Sequence, residues 1–216
     1  MPTLFQACII ALLLNNFALL FVSRLNLLIR LTAFQGGALA VLLVLLPRPP
    51  GSDLSHVLIL AGAVLLIKAL GFPWLLRRTL RRVGAETCLT PYLGFSLSVA
   101  AGLVGLLFSL WLETRLHLAL GIFPPLLLPV ALTTLFTGLL LVVGRMKALT
   151  QVIGYLVAEN GIFLLSMPLM MDGSTWFELS LLLDVFVAVF VMGIAINHIN
   201  ATFESIDVGR FCSLRD

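Results

Sequence analysis

The chain has 216 residues, of which 61% are hydrophobic and only 11% charged, and its mean hydropathy is +1.15. A soluble domain carries roughly 25% charged residues, so composition excludes a soluble fold and points to an all-α polytopic membrane protein. The net charge of +3 then says nothing about nucleic acid as a partner; the bilayer is the partner, and the placement of positive charge sets the topology.

Crossing the hydrocarbon takes ~20 apolar residues as a helix. Seven stretches qualify, at residues 4–22, 27–46, 54–76, 92–112, 123–143, 152–171 and 177–199. The first follows Met1-Pro-Thr without a basic start or a small-residue cleavage site, so it is read as a retained span. Pro47-Arg-Pro-Pro-Gly-Ser-Asp53 separates the second stretch from the third, because proline lacks the donor that a helix needs and clashes with the preceding turn. Gly121-Ile-Phe-Pro-Pro125 and Met171-Asp-Gly-Ser-Thr175 interrupt the chain later in the same way. Ser52 or Asp53, Thr150 and Ser174 are placed to cap the helices that follow them.

Positive charge is distributed unevenly over the connections. Arg24 and Arg30, the Arg77-Arg78 and Arg81-Arg82 pairs, Arg145 and Lys147, and Arg210 and Arg215 all fall on one side of a seven-helix arrangement. Only Arg48 and Arg115 fall on the other. The excess marks the cytoplasmic side, so seven transmembrane helices run with the N-terminus outside and the C-terminus in the cytoplasm. One basic residue is left over. Lys68 lies within the third stretch, about two turns before the arginine cluster that begins at Arg77. That is deep for a side chain that merely snorkels to the headgroups, and a paired or functional lysine is the stronger reading.

Two acids lie in the last two stretches. Glu159 follows Gly154-Tyr in the sixth, roughly 12 Å in from the cytoplasmic end at about 1.5 Å per residue. Asp184 lies in the seventh, roughly 10 Å from the outer end by the same rise. A charge near the bilayer centre costs at least ~2.5 kcal/mol, so such residues call for a partner or a function. A lone acid can be a neutral hydrogen-bonding link between helices as readily as a proton carrier. Two acids at comparable depth, with a buried lysine, favour a proton relay of Glu159, Asp184 and Lys68.

Other features are structural. Asn15, Asn16 and Asn160 are read as packing polar groups, and Gly36-Gly37, Gly102, Gly105, Gly138 and Gly193 as points of close helix approach. Glu113 and Glu178 lie near the outer interface, where water can reach them. His56, His117 and His198 lie near helix ends, and the latter alone is placed for a proton exit. Cys8, Cys88 and Cys212 are too far apart for a metal or disulfide framework. No phosphate loop, nucleophile elbow or metal-spaced histidine pair occurs. Residues 24–34 weakly echo residues 145–155, as parallel repeats in transporters do. On that echo Lys68 corresponds roughly to Asp184.

The C-terminal part resembles the three-helix K subunit of respiratory complex I. The resemblance rests on Thr137-Gly-Leu-Leu-Leu-Val-Val-Gly-Arg145, Ile153-Gly-Tyr155, Glu159-Asn160, Asp184 and the tail Ser205-Ile-Asp-Val208. It implies membrane carboxylates that transfer protons. Asp184 stands where the second of these belongs, whereas the first position holds Leu156, and Glu159 lies one turn further on roughly the same face. Over nearly the whole length the chain resembles the E component of hydrogenase-4, a formate hydrogenlyase-type membrane complex. This second resemblance is carried by Ser23-Arg-Leu with Phe34-Gln35 in a loop, by Lys68, Pro73 and Arg77 at a helix end, by Gly154-Tyr155 with Glu159-Asn160-Gly161, and by Asp184-Val-Phe-Val-Ala-Val-Phe-Val191.

These resemblances imply residues 1–120 as a four-helix N-terminal extension, 121–202 as the K-like unit and 203–216 as a cytoplasmic tail. They imply a non-catalytic subunit in the cytoplasmic membrane of a bacterium or archaeon, without a redox cofactor of its own. Its partners would be antiporter-like membrane subunits and, indirectly, soluble hydrogenase subunits carrying nickel-iron and iron–sulfur centres. A docking subunit of such a complex, or a subunit of a multi-component cation/proton antiporter, are the competing readings.

Overall fold

The structure, a computed structural model, describes residues 2–46, 54–83, 94–120, 124, 126–145 and 148–168. The seventh stretch with Asp184 and His198, the tail, the caps expected at Ser52, Asp53 and Ser174, and Cys88 and Cys212 lie outside the described residues.

Every described element is helical. α1 spans Pro2–Phe21, α2 Leu25–Leu45, α3 Leu54–Val64, α4 Phe72–Val83, α5 Phe95–Leu120, α6 Leu127–Gly144 and α7 Ala148–Ser166. A π-helical segment, Leu65–Gly71, joins α3 to α4 without a break. Among the described residues, six helical spans, counting α3, the π segment and α4 as one, are long and apolar enough to cross a membrane. A multi-pass membrane protein is therefore the architecture the fold supports.

Several boundaries differ from the sequence reading for identifiable reasons. Only Val22 to Arg24 separate α1 from α2, so Arg30, counted above with the connection, lies within α2. Thr150 lies inside α7 instead of capping it, because the chain turns earlier, at Arg145, whose backbone is extended. α5 continues to Leu120, since the polar residues after Leu112 can remain helical at the membrane surface. Glu113, half-exposed, accepts the backbone N–H of Leu126 at 3.0 Å. That bond helps hold Leu126 in a left-handed conformation with φ 67°, uncommon for a branched side chain.

Glycine determines the closest approach. α6 and α7 make the most extensive helix pair. A side chain at Gly138 would overlap the backbone of Ala158, and a Cβ at Gly161 would fall 2.5 Å from the Leu135 nitrogen. α1 packs on α2, α5 and α6, while α2 packs on α7 and on the α3–π–α4 rod, so the first helices and the last described ones form one bundle. Arg145 ties them at one end. Its buried guanidinium donates from Nη2 to the carbonyls of Leu20 at 3.2 Å and Val22 at 3.1 Å, capping the open C-terminal carbonyls of α1. Burial lowers its pKa from the usual guanidinium value.

The apolar core is in two parts. One cluster gathers Phe5, Ile9, Leu12, Leu39, Leu42, Val64, Val130, Phe163 and Met167. The other gathers Leu19, Leu20, Leu25, Ile29, Phe72, Leu76, Leu141, Ile153 and Val157. On every contributing span, buried polar residues occupy the interval between the two. Gly138→Val is expected to destabilise the bundle by roughly 1–3 kcal/mol through overpacking at backbone contact. Gly37→Ala, where a Cβ meets nothing within 4 Å, should be neutral or slightly stabilising, and thermal unfolding in detergent compares the two.

Candidate functional site

The polar interval begins at the π segment. Pro73 carries no N–H, so the carbonyl of Ala69, four residues earlier, cannot receive its regular helical bond. The ladder is rewound in this region, and the backbone N–H of Phe72 reaches back five residues to Ile67 O. Widened turns of this kind occur frequently at functional sites. Lys68 lies within the segment, 3% exposed.

The structure places Lys68 well inside its helical span, as the sequence suggested. In the span Val57–Arg78 it stands ten residues before the end and eleven after the start. Its charge cannot snorkel from there. The ammonium instead donates to Glu159 Oε1 at 3.3 Å and to Asn160 Oδ1 at 3.1 Å, both on α7. It also lies 5.1 Å from the centroid of the Phe163 ring, one turn further along α7, within cation–π range. Two of the three residues read as a relay, Lys68 and Glu159, are thus in direct contact. Asp184, the third, lies outside the described residues.

Close backbone approach delivers the lysine. A Cβ on Gly36 of α2 would lie 2.7 Å from the carbonyl carbon of Lys68, so α2 and the π segment touch main chain to main chain. The glycine precedes no turn and has no conformational role here; it is required because there is no room for a side chain.

A row of uncharged polar groups continues from Lys68 across the bundle. Asn160 Nδ2 donates to Gln35 Oε1 at 3.2 Å, and Gln35 Nε2 donates to Asn16 Oδ1 at 2.9 Å. Asn16 Nδ2 donates to Thr134 Oγ1 at 2.7 Å, and the threonine hydroxyl donates to Val130 O at 2.6 Å. The row joins α7, α2, α1 and α6, and every side chain in it is buried. All the bonds run in one sense. Each amide turns its oxygen toward Lys68 and its NH₂ away, so the dipoles add in solvating the ammonium, and aligned bonds polarise one another.

This orientation separates two chemical roles. Asn and Gln amides have no titration in the accessible range, so the row beyond Asn160 holds and orients rather than passing protons. Lys68 and Glu159 are the titratable members. Glu159 is 5% exposed, and its Oε2 accepts no hydrogen bond among the described residues. One carboxylate oxygen is thus held by Lys68, and the other has no such partner among the described residues.

Sequence reasoning found Lys68 and Glu159 and gave Asn16 and Asn160 only a packing role. The structure corrects the latter, since Asn160 contacts the ammonium directly. Gln35 and Thr134 were missed as site residues. A glutamine in the middle of the apolar stretch 27–46 was the available signal, and an uncharged amide drew less notice than the buried charges. Asn15, by contrast, faces away from the row and donates to Leu31 O at 3.3 Å.

Removing one member of a buried ion pair leaves the other uncompensated, at a cost of roughly 3–5 kcal/mol. Lys68→Met and Glu159→Met are each expected to destabilise strongly, and the double variant to lose at least ~1 kcal/mol less than their sum. A double-mutant cycle of unfolding in mixed micelles measures this. Gly36→Val should mimic Lys68→Met in part, by pushing the π segment away from α2.

No family model matches the chain, and no solved structure matches it. A curated protein of Mycobacterium tuberculosis (strain ATCC 25618 / H37Rv) does, under the name uncharacterized protein Rv0085. The two are 33% identical over 196 residues, covering 87% of this chain and 85% of that protein. Similarity of that degree over most of both lengths makes this chain a member of the same family as the mycobacterial protein.

Proposed function

We propose that the chain is an integral membrane subunit of a complex I-related, group 4 hydrogenase-type oxidoreductase, in which Lys68, Glu159 and Asp184 carry protons within the membrane. The observation that carries the reading is the 3.3 Å contact between Lys68 and Glu159, in the middle of two spans and between two apolar clusters. A proton arriving at Glu159 Oε2 neutralises the carboxylate and weakens its hold on Lys68. The ammonium keeps Asn160 and Phe163 as partners, so it is not stranded. Loss of that proton restores the ion pair. The exchange needs no redox centre in this chain, and the resemblance to the hydrogenase-4 E component assigns nickel-iron and iron–sulfur centres to soluble partner subunits.

In this reading the chain has seven spans, with the N-terminus outside and the C-terminus in the cytoplasm, in the inner membrane of a bacterium or archaeon. Asp184, which lies outside the described residues, is the third proton carrier in this reading. Antiporter-like membrane subunits are the immediate neighbours. The hydrogen-bonded row of amides also favours a second reading, in which the polar interval serves only to dock and hold helices.

The variant Glu159→Gln, combined with Asp184→Asn, keeps shape and removes both titrations. It is expected to leave the complex assembled and lower its proton translocation on the order of 10²-fold, the scale of a lost acid–base group. Proton uptake by vesicles during hydrogen turnover measures the effect. Full translocation in the assembled variant would refute the relay, whereas failure to assemble would favour the docking role. Co-purification of antiporter subunits without hydrogenase subunits would move the chain to a cation/proton antiporter.

A further inference from the structure

The outer face of the π segment lines a groove of about 780 Å³. Leu66, Ala69 and Leu70 form its wall on one side and Ala33 of α2 on the other, while Arg77 and Arg78 stand at one end beside Trp74. Leu66, Leu70 and Trp74 are exposed. The same turns that present Lys68 inward thus present an apolar channel outward.

The two ends of the groove differ chemically. Its apolar lining belongs to the span Val57–Arg78, which is long and apolar enough to cross a membrane and ends at the two arginines. Arginines at the end of such a span belong at the level of the headgroups. Tryptophan is enriched at that level, and the Arg78 guanidinium lies 5.2 Å from the centroid of the Trp74 ring. Stacking there restrains a guanidinium that presents several donors in a planar fork, the geometry suited to phosphate. A ligand that fits must be apolar over most of its length and anionic at one end.

We infer that this groove binds an anionic phospholipid, with an acyl chain along Leu66, Ala69 and Leu70 and the headgroup phosphate on Arg77 and Arg78. Basic pockets between membrane helices hold acidic lipid headgroups elsewhere on the same principle. The volume lies within the range of small-ligand sites. The bound chain packs against the outside of the segment that carries Lys68, so the lipid buttresses the widened turns where Pro73 has removed a backbone bond.

Native mass spectrometry of the full chain, released from vesicles of equal phosphatidylglycerol and phosphatidylethanolamine, tests the inference. Retention of phosphatidylglycerol in preference to phosphatidylethanolamine is expected. Arg77→Gln with Arg78→Gln should weaken that retention roughly 25-fold, from about fivefold per arginine near the surface. Ala33→Phe, which fills the groove and leaves the charge unchanged, should also reduce it. A thermal melt of each variant confirms folding, and both arginines are exposed, so their replacement disturbs no core. Equal retention of the two lipids would overturn the site. So would a loss confined to the arginine variant, which would signify diffuse attraction to the surface, and so would displacement of phosphatidylglycerol by inorganic phosphate, which would identify a phosphate site without a lipid chain.

Discussion

An ammonium and a carboxylate held 3.3 Å apart in the interior of an apolar bundle set the terms for everything around them. Each charge costs at least ~2.5 kcal/mol near a bilayer centre, and pairing alone does not reliably offset the desolvation of two ions. The surplus cost is met by the amides of Asn160, Gln35 and Asn16, whose oxygens all point toward the lysine, and by the Phe163 ring. That is why polar residues on five of the six spans converge on one interval. The apolar clusters on either side exclude water, which strengthens each of these interactions in the low dielectric.

Geometry follows from two local rules. Proline at position 73 forces the helix to widen, and the widened turns carry Lys68 to α7. Glycine at position 36 lets α2 approach until its main chain meets that of the lysine. Further away, Gly138 and Gly161 fix α6 on α7, and Arg145 binds the turn after α6 to the end of α1. The candidate site is thus supported by main-chain contacts, while Glu159 Oε2 accepts no hydrogen bond among the described residues and is the atom that takes the proton in the proposed relay. A rigid frame around a single exchangeable proton suits a relay better than a substrate-binding site would.

Much of this was legible in the sequence. Apolar length alone located the six described spans, because the membrane imposes helix and minimum length together. The cost of buried charge located Lys68 and Glu159. The helix that carries Lys68 runs past the apolar stretch, through the arginines to Val83, a continuation that hydropathy does not register. Gln35 lay within the second apolar stretch but, being uncharged, carried no burial cost large enough to single it out; Arg30 was counted with the connection, whereas the turn is three residues long and Arg30 lies within the span. The contact of Lys68 with α7, ninety-one residues away in sequence, depends on which helices are neighbours. Charge counting cannot supply that, since the positive-inside bias gives orientation but not adjacency. The π segment was likewise invisible as such, although its cause, Pro73, was in view.

The central claim is that Glu159 gains and loses a proton within the membrane while Lys68 stays beside it. Infrared difference spectroscopy of the reconstituted protein across a pH titration observes that carboxyl directly. The account predicts a protonated-carboxyl band that rises with acidification, is absent from Glu159→Gln, and has a midpoint that moves when Lys68 is replaced by methionine. A spectrum with no Glu159-dependent band at any pH compatible with the fold would contradict it, and would leave the pair as a fixed structural link between α7 and the π segment.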